Sequence, residues 1–205
     1  MTRQDTSENR RRFFRIDDAV RLSYRALDAD ELADRVARLA EGLGGSFALM
    51  ASLSAVTHRM SVSLRRIEQH NGDVAAYLRG LVEKIEAVAR ALLLQDPELP
   101  AMSEGPVNLS AGGLVFPSQR AFTPCDLLEM RMVLYPQMVG VLTVARVVHC
   151  DPREPTADGC AWLVAVEYVH IRESDRDLLC SHIIARETEL LRKQLGMYYA
   201  ALDLC

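Results

Sequence analysis

The spacing of apolar residues changes abruptly along this chain, and the change limits what the chain can fold into. Between residues 28 and 96 apolar residues recur at alternating spacings of four and three, which is typical of helices with a narrow apolar stripe. From Gly105 onward the period falls toward two, as in half-buried β-strands. A short strand-like stretch, residues 19–24, precedes the helical part. The sequence therefore predicts a helical segment inserted into a β-rich protein.

The helical part contains two turn signals, Gly44-Gly45 and Asn71-Gly72, which predict three helices, with Asp73 as the cap of the third. A narrow apolar stripe buries best against another helix with the same stripe. The three helices therefore either pack on one another within a chain or join chains as a coiled coil or helix bundle. The stripe of the second and third helices consists of Leu49, Leu53, Val56, Met60, Ile67, Val74, Leu78, Leu81, Ile85, Val88 and Leu92.

The β-rich part predicts several short strands without helices between them, which indicates an antiparallel barrel or sandwich. A last helix is predicted to begin at Ser174-Asp175, with an apolar face that continues up to Gly196. The expected strands include residues 114–116, 127–134, 139–149 and 161–171.

Charge and composition exclude several functions. A formal net charge of -4 argues against general binding to nucleic acid or to an anionic membrane, so a bound anion needs a local cluster of positive charge. The five cysteines form no CxxC pair, and neither they nor the five histidines have the spacing of a metal site. No signal-peptide pattern, membrane-length apolar run, P-loop, GxSxG or dinucleotide fingerprint is present. We expect a cytoplasmic protein without a metal or membrane insertion, and not an enzyme.

A cluster of positive charge lies near the N-terminus. The run Arg10-Arg11-Arg12-Phe13-Phe14-Arg15 contains an RxxxR spacing at Arg11 and Arg15. Arginine is planar and donates through a fork, so it pairs with phosphate or with the edge of guanine and stacks on bases. Taken alone, the run also fits a solvated tail or a contact with nucleic acid.

A second motif, [D/N]xSxxG, occurs at residues 108–113. The amide of Asn108 has donors and acceptors for a base edge or for anchoring the arginine arm, and Ser110 has a small hydroxyl. Gly112 and Gly113 lack a β-carbon, so their backbone can approach a ligand closely or adopt positive φ. The alternative for the motif is an ordinary strand connection, and for the glycines a strained turn.

Together the two motifs resemble those of the PilZ domain family, whose ligand is cyclic di-GMP. In that family RxxxR precedes the first barrel strand and [D/N]xSxxG lies on an early strand; residues 162–169 and 173–179 are also similar to its last strand and closing helix. The resemblance implies an α+β fold, a small antiparallel β-barrel with a C-terminal helix, and a receptor function. It implies that the ligand-binding residues are Arg11, Arg15, Asn108, Ser110 and Gly113, with Arg10, Arg12 and Gly112 as further candidates.

The helical stretch is similar to that of an atypical, oligomeric branch of PilZ proteins from plant-pathogenic bacteria, in which heptad-bearing helices associate chains. We therefore expect residues 1–27 to form the arginine arm and first strand, 28–98 an oligomerisation insertion, and 99–205 the rest of the barrel and its helix. A homo-oligomer through residues 28–96 and an unknown downstream protein partner follow from the resemblance. It also implies control of motility, adhesion, exopolysaccharide or virulence.

The strongest alternative is an oligomeric adaptor that has the PilZ fold but binds no nucleotide. The sequence also leaves open whether the long insertion allows the two motifs to face each other.

Overall fold

The computed structural model describes residues 13–41, 45–95 and 102–202, which form six strands and four helices. The strands are β1 (Arg15–Leu27), β2 (Ser103–Ser110), β3 (Gly113–Ser118), β4 (Leu127–Leu134), β5 (Val139–Pro152) and β6 (Trp162–Ile171). The helices are α1 (Ala29–Glu41), α2 (Gly45–His70), α3 (Gly72–Leu94) and α4 (Glu173–Leu202).

The six strands form a closed antiparallel barrel in the order β1-β2-β3-β6-β5-β4. The long strand β1 closes it, because residues 15–22 pair with β2 while residues 20–27 pair with β4. This confirms the expected fold class, an α+β protein with a small antiparallel barrel, a C-terminal helix and long helices inserted between the first two strands.

The barrel core follows the period of two in the sequence. Leu114 and Phe116 of β3 point inward and are buried, whereas Val115 and Pro117 between and beyond them are half-buried on the outer face. Leu179 of α4 joins the same apolar cluster. The C-terminal helix therefore completes the barrel core.

Helix α2 begins against the barrel wall and then leaves it. Phe47 and Met50 pack with Val133 of β4, and the backbone N–H of Gly140 lies 3.2 Å from the Met50 sulfur. Farther along, α2 packs against α3 to form a hairpin whose helices are joined by an ion pair between Arg79 and Glu68.

The hairpin leaves much of its apolar stripe exposed. The two helices bury part of it between them and enclose an apolar cleft of about 390 Å³. No helix in the described part of the chain has the length and apolarity needed to cross a bilayer. The exposed members of the stripe are Leu49, Val56, Met60, Val74, Leu81, Ile85 and Val88.

One sequence expectation about a helix end is wrong. The cap of α3 is Asn71, not Asp73, because the Asn71 side-chain oxygen accepts a hydrogen bond from the Val74 N–H at 3.1 Å. Helix α4 continues past Gly196, where the expected apolar face stops, to Leu202, since a single glycine costs a helix only about 1 kcal/mol.

Candidate ligand-binding site

The pairing of β1 with β2 brings the two motifs together. Arg15 opens β1 and lies opposite Ser110, the last residue of β2, although the long helical insertion separates the two strands in sequence. The Arg15 guanidinium donates a hydrogen bond to the Asn108 side-chain oxygen at 3.0 Å, and its Nη1 also lies 3.4 Å from the Asn108 carbonyl oxygen. Arg15, the described end of the arginine motif, therefore lies beside the Asn108 motif.

Asn108 uses both ends of its amide in this arrangement. Its nitrogen donates to Asp17 Oδ1 at 2.8 Å, while its oxygen accepts from Arg15. Asp17 and Asn108 are cross-strand partners on the outer face of the barrel. The result is a short chain of polar side chains, Arg15–Asn108–Asp17, along the outside of β1 and β2.

Ser110 forms its hydrogen bonds within the turn that connects β2 and β3. Its hydroxyl accepts hydrogen bonds from the N–H groups of Gly112 (3.3 Å) and Gly113 (3.1 Å) and donates to the Gly113 carbonyl oxygen at 3.0 Å. Ser110 is 2% exposed. The hydroxyl therefore holds the shape of the turn.

The two glycines are explained by close approach within the protein. A β-carbon on Gly113 would lie 2.2 Å from the Val166 carbonyl oxygen of β6. One on Gly112 would lie 2.5 Å from the ring of Phe13. Among the described glycines, positive φ occurs at Gly45 and Gly159 rather than at these positions. Their place in the turn is thus set by β6 and by the arm, without left-handed backbone.

Phe13 was not identified from the sequence as a site residue. Its ring covers Gly112, so the end of the arginine arm lies directly over the motif turn. The available signal was the aromatic pair within the arginine run, because apolar rings in a charged arm indicate packing against the rest of the protein. Arg10, Arg11 and Arg12 lie outside the described residues.

Helix α4 contributes an arginine to the same turn. Arg176 donates to the Ala111 carbonyl oxygen at 3.1 Å and is half-buried. Burial raises the pKa of the Tyr168 hydroxyl, and the positive charges of Arg15 and Arg176 act against that rise. Both guanidinium groups therefore lie close enough to Tyr168 to affect the pKa of its hydroxyl.

A buried ion network fixes the site-bearing strand to α4. Asp18 accepts from His182 Nε2 at 2.6 Å and from Arg186 Nε and Nη2 at 3.1 and 2.9 Å. The hydrogen bond with Asp18 raises the pKa of the Arg186 guanidinium, with a further contribution from Glu189. Asp18 directly follows Asp17, so this network holds the outer face of β1 in position.

A groove of about 520 Å³ begins at Asn108 and crosses the outer face of the barrel. This volume lies within the usual range of small-molecule sites. Its lining combines an apolar floor with charged and amide groups at the sides and includes Asp17, Asn108, Val115, Pro117, Leu163, Arg153 and Arg186. No group of histidine, cysteine or acidic side chains suited to a metal ion occurs in the ranges the structure describes.

The fold and site define a class of protein: a small closed barrel with a groove on its outer wall, an arginine at the start of its first strand and an added helical hairpin. Residues 87–185, just under half of the chain, match the family model described as PilZ domain. The resemblance to the PilZ domain family that the motifs indicated is therefore confirmed for this part of the chain.

A solved structure of similar architecture agrees with this fold. A pathogenic protein from Xanthomonas campestris, a tetrameric PilZ domain self-assembled through a helical bundle, superposes with a TM-score of 0.51 at 16% identity. The match covers 90% of this chain and 89% of that one, so the likeness extends over the helices as well as the barrel. The Bacillus subtilis inhibitor of motility matches at 20% identity and a TM-score of 0.36, over 43% of this chain and 44% of that one. No curated protein matches the sequence.

Proposed function

We propose that this protein is a receptor for cyclic di-GMP, which binds where the arginine arm meets the Asn108 motif. The observation that carries the proposal is the hydrogen bond from Arg15 to Asn108, because it joins the two motifs across β1 and β2. The PilZ domain match supports the ligand class.

The chemistry of the ligand suits these side chains. Cyclic di-GMP carries two phosphates and two guanines, and arginine binds phosphate oxygens or the N7 and O6 acceptors of guanine through its fork. Arg15 and Arg176 provide guanidinium groups beside the turn. Arg11, with Arg10 and Arg12 beside it, would add charge from the arm.

We further propose that binding acts as a switch. In the described structure Arg15 is held by the neutral amide of Asn108. A phosphate is a stronger acceptor for Arg15 than an amide oxygen, because it is negatively charged and can accept from both arms of the guanidinium fork. The ligand would thus take over the arginine donors, hold residues 8–16 against the barrel and present a new surface to a downstream partner.

Calorimetric titration with cyclic di-GMP tests this proposal. Arg15→Ala should weaken binding by roughly 10- to 100-fold, the range for loss of a hydrogen bond to a charged group, and Arg11→Ala/Arg15→Ala should weaken it further. Arg21→Ala is the matched control: Arg21 lies on the same strand but forms an exposed ion pair with Glu104. Unchanged binding by Arg15→Ala, or equal loss in the control, would contradict the proposed site.

We also propose that the helical part, residues 28–98, associates chains. The supporting observation is the exposed apolar stripe of the hairpin, in which Met60 is 55% and Val88 58% exposed. Stripes with this spacing bury their side chains against another helix with the same pattern. The Xanthomonas campestris protein, whose likeness to this chain includes the helices, assembles into a tetramer through a helical bundle.

Light scattering on the purified chain tests the association. We expect a mass of several subunits for the parent and a smaller mass for Met60→Lys, since a charge in an apolar seam is costly to bury. Gln69→Lys adds the same charge at an exposed polar position of α2 and should leave the mass unchanged. A monomeric parent would overturn the association, whereas an oligomer that binds no cyclic di-GMP would favour the adaptor function.

A further inference from the structure

The outer groove contains two arginines that belong to neither motif, and they differ in what they contact. Arg186 donates to Asp18 through Nε and Nη2 and to Glu189 through Nη1 at 2.8 Å, so its fork is occupied. The Arg153 side chain is exposed, and its guanidinium makes no hydrogen bond or ion pair with the described residues. Arg153 is therefore the groove arginine with donors available for a ligand.

The backbone fixes Arg153 at the side of the groove away from the arginine arm. Its N–H donates to the Ala161 carbonyl oxygen at 2.9 Å, which places it beside the start of β6. Asp17 lies on β1 at the other side, with β2 and β3 between. Three strand spacings of about 4.8 Å make the groove roughly 14 Å wide.

The floor between these two sides is apolar. Val115 lies opposite Asn108, and Pro117 lies opposite Leu163, so the three apolar side chains occupy neighbouring positions on the outer face of β3 and β6. Leu163 is 36% exposed. Such a surface accepts the face of a planar ring, whereas a phosphate would lose its hydration there without receiving donors.

The polar groups at the two sides of the groove complement the two edges of a guanine base. Guanine has two acceptors, N7 and O6, on one edge, and N–H donors at N1 and N2 on the other. An arginine fork complements the first edge, and a carboxylate such as Asp17 complements the second. Adenine offers N7 beside an amino group, which cannot accept from an arginine.

We propose that Arg153 binds one guanine base of the ligand, donating to N7 and O6 while the base lies on Val115, Pro117 and Leu163. The inference rests on the proposed receptor function and adds a specificity residue to it. It assigns the phosphates and the second guanine to the arginine arm and the Asn108 side of the groove.

Calorimetry tests the proposal through the four affinities of two proteins for two ligands. The parent and Arg153→Gln are titrated with cyclic di-GMP and with its 7-deazaguanine analogue, in which N7 cannot accept a hydrogen bond. Loss of a bidentate contact should weaken binding of cyclic di-GMP by Arg153→Gln by roughly 5- to 150-fold. The analogue should bind the parent more weakly than cyclic di-GMP does, and the variant should distinguish the two ligands less than the parent does. Arg153→Lys should also bind weakly, because lysine lacks the fork.

Two controls separate this inference from the receptor function. Arg192→Gln removes the same charge from an exposed position of α4 outside the groove and should bind like the parent. Unfolding temperatures of the ligand-free variants should match that of the parent, since Arg153 is exposed. The guanine contact would be overturned if the loss of affinity caused by Arg153→Gln and the loss caused by the analogue simply multiply when the two are combined. It would also be overturned if Arg153→Gln bound cyclic di-GMP with an affinity within twofold of the parent's. If Arg15→Ala loses binding while Arg153→Gln does not, the receptor proposal stands and this inference fails; a folded parent that binds no cyclic di-GMP overturns both.

Discussion

The barrel and the helical hairpin both carry regular apolar patterns, yet they bury them to very different degrees. In β3 the inward residues Leu114 and Phe116 are 0% and 1% exposed, whereas Met60 and Val88 of the hairpin are more than half exposed. A closed sheet surrounds its own inner face, so every inward side chain finds partners in the same chain. Two helices cover only one side of each other, and the rest of their apolar surface stays exposed in the described part of the chain. The barrel thus buries its apolar residues by itself, whereas the hairpin leaves many of its own exposed.

The largest expected effect compares the two regions directly. Phe116→Ala removes a buried ring that packs against Tyr24, with ring centroids 4.8 Å apart, and should lower the free energy of unfolding by about 3–5 kcal/mol. Met60→Ala, measured in dilute solution where chains are separate, should cost less than about 1 kcal/mol. Urea unfolding at several protein concentrations gives both values. Equal losses of unfolding free energy from the two variants at all concentrations would show that the hairpin buries its apolar residues as fully as the barrel does.

A second prediction concerns the glycines of the barrel. Gly113→Ala would place its β-carbon against the Val166 carbonyl oxygen and should cost about 1–3 kcal/mol through backbone displacement. Gly105→Ala is the matched control in the neighbouring strand β2, because no atom lies within 4 Å of its added β-carbon. Thermal unfolding of the two variants compares a crowded with an open site. A stable Gly113→Ala would show that β3 and β6 can separate without loss.

The smallest effect is expected at the tip of the hairpin. Asn71→Ala removes the side-chain cap of α3 and should cost about 1 kcal/mol. Asp73→Ala leaves that cap in place and removes only a favourable charge near the helix start, which contributes about 0.3–1 kcal/mol at low ionic strength. Unfolding in low and high salt distinguishes them, since only the Asp73 contribution is screened. The reverse salt dependence would contradict the capping assignment.

Much of the fold could be predicted from periodicity and turn residues. The change from 4-3 spacing to a period of two predicted the helical insertion and the barrel strands, because each element must present one apolar face to the core. Helix ends were less predictable. Asn71 and Asp73 are both good capping residues, and only the hydrogen bond to Val74 distinguishes them.

The candidate site could likewise be predicted from the sequence only in part. Arg15 and Asn108 were identified as residue types in two motifs, and their contact depends on the pairing of β1 with β2. Ser110 was expected to be available to the ligand, but its hydroxyl is engaged within the turn. Arg153 had no sequence signal, since it lies in an irregular stretch and faces the groove only because its backbone pairs with Ala161.

The sequence by itself determined the classes of element, the two ligand motifs and the apolar stripe of the helices, because these depend on side-chain chemistry and local spacing. The tertiary structure decided which groups meet: Arg15 with Asn108, Phe13 with Gly112, and Arg153 with the apolar floor of the groove. The physical reason is that strand pairing and barrel closure bring together residues far apart in the chain, and no local pattern records which partners those contacts will select.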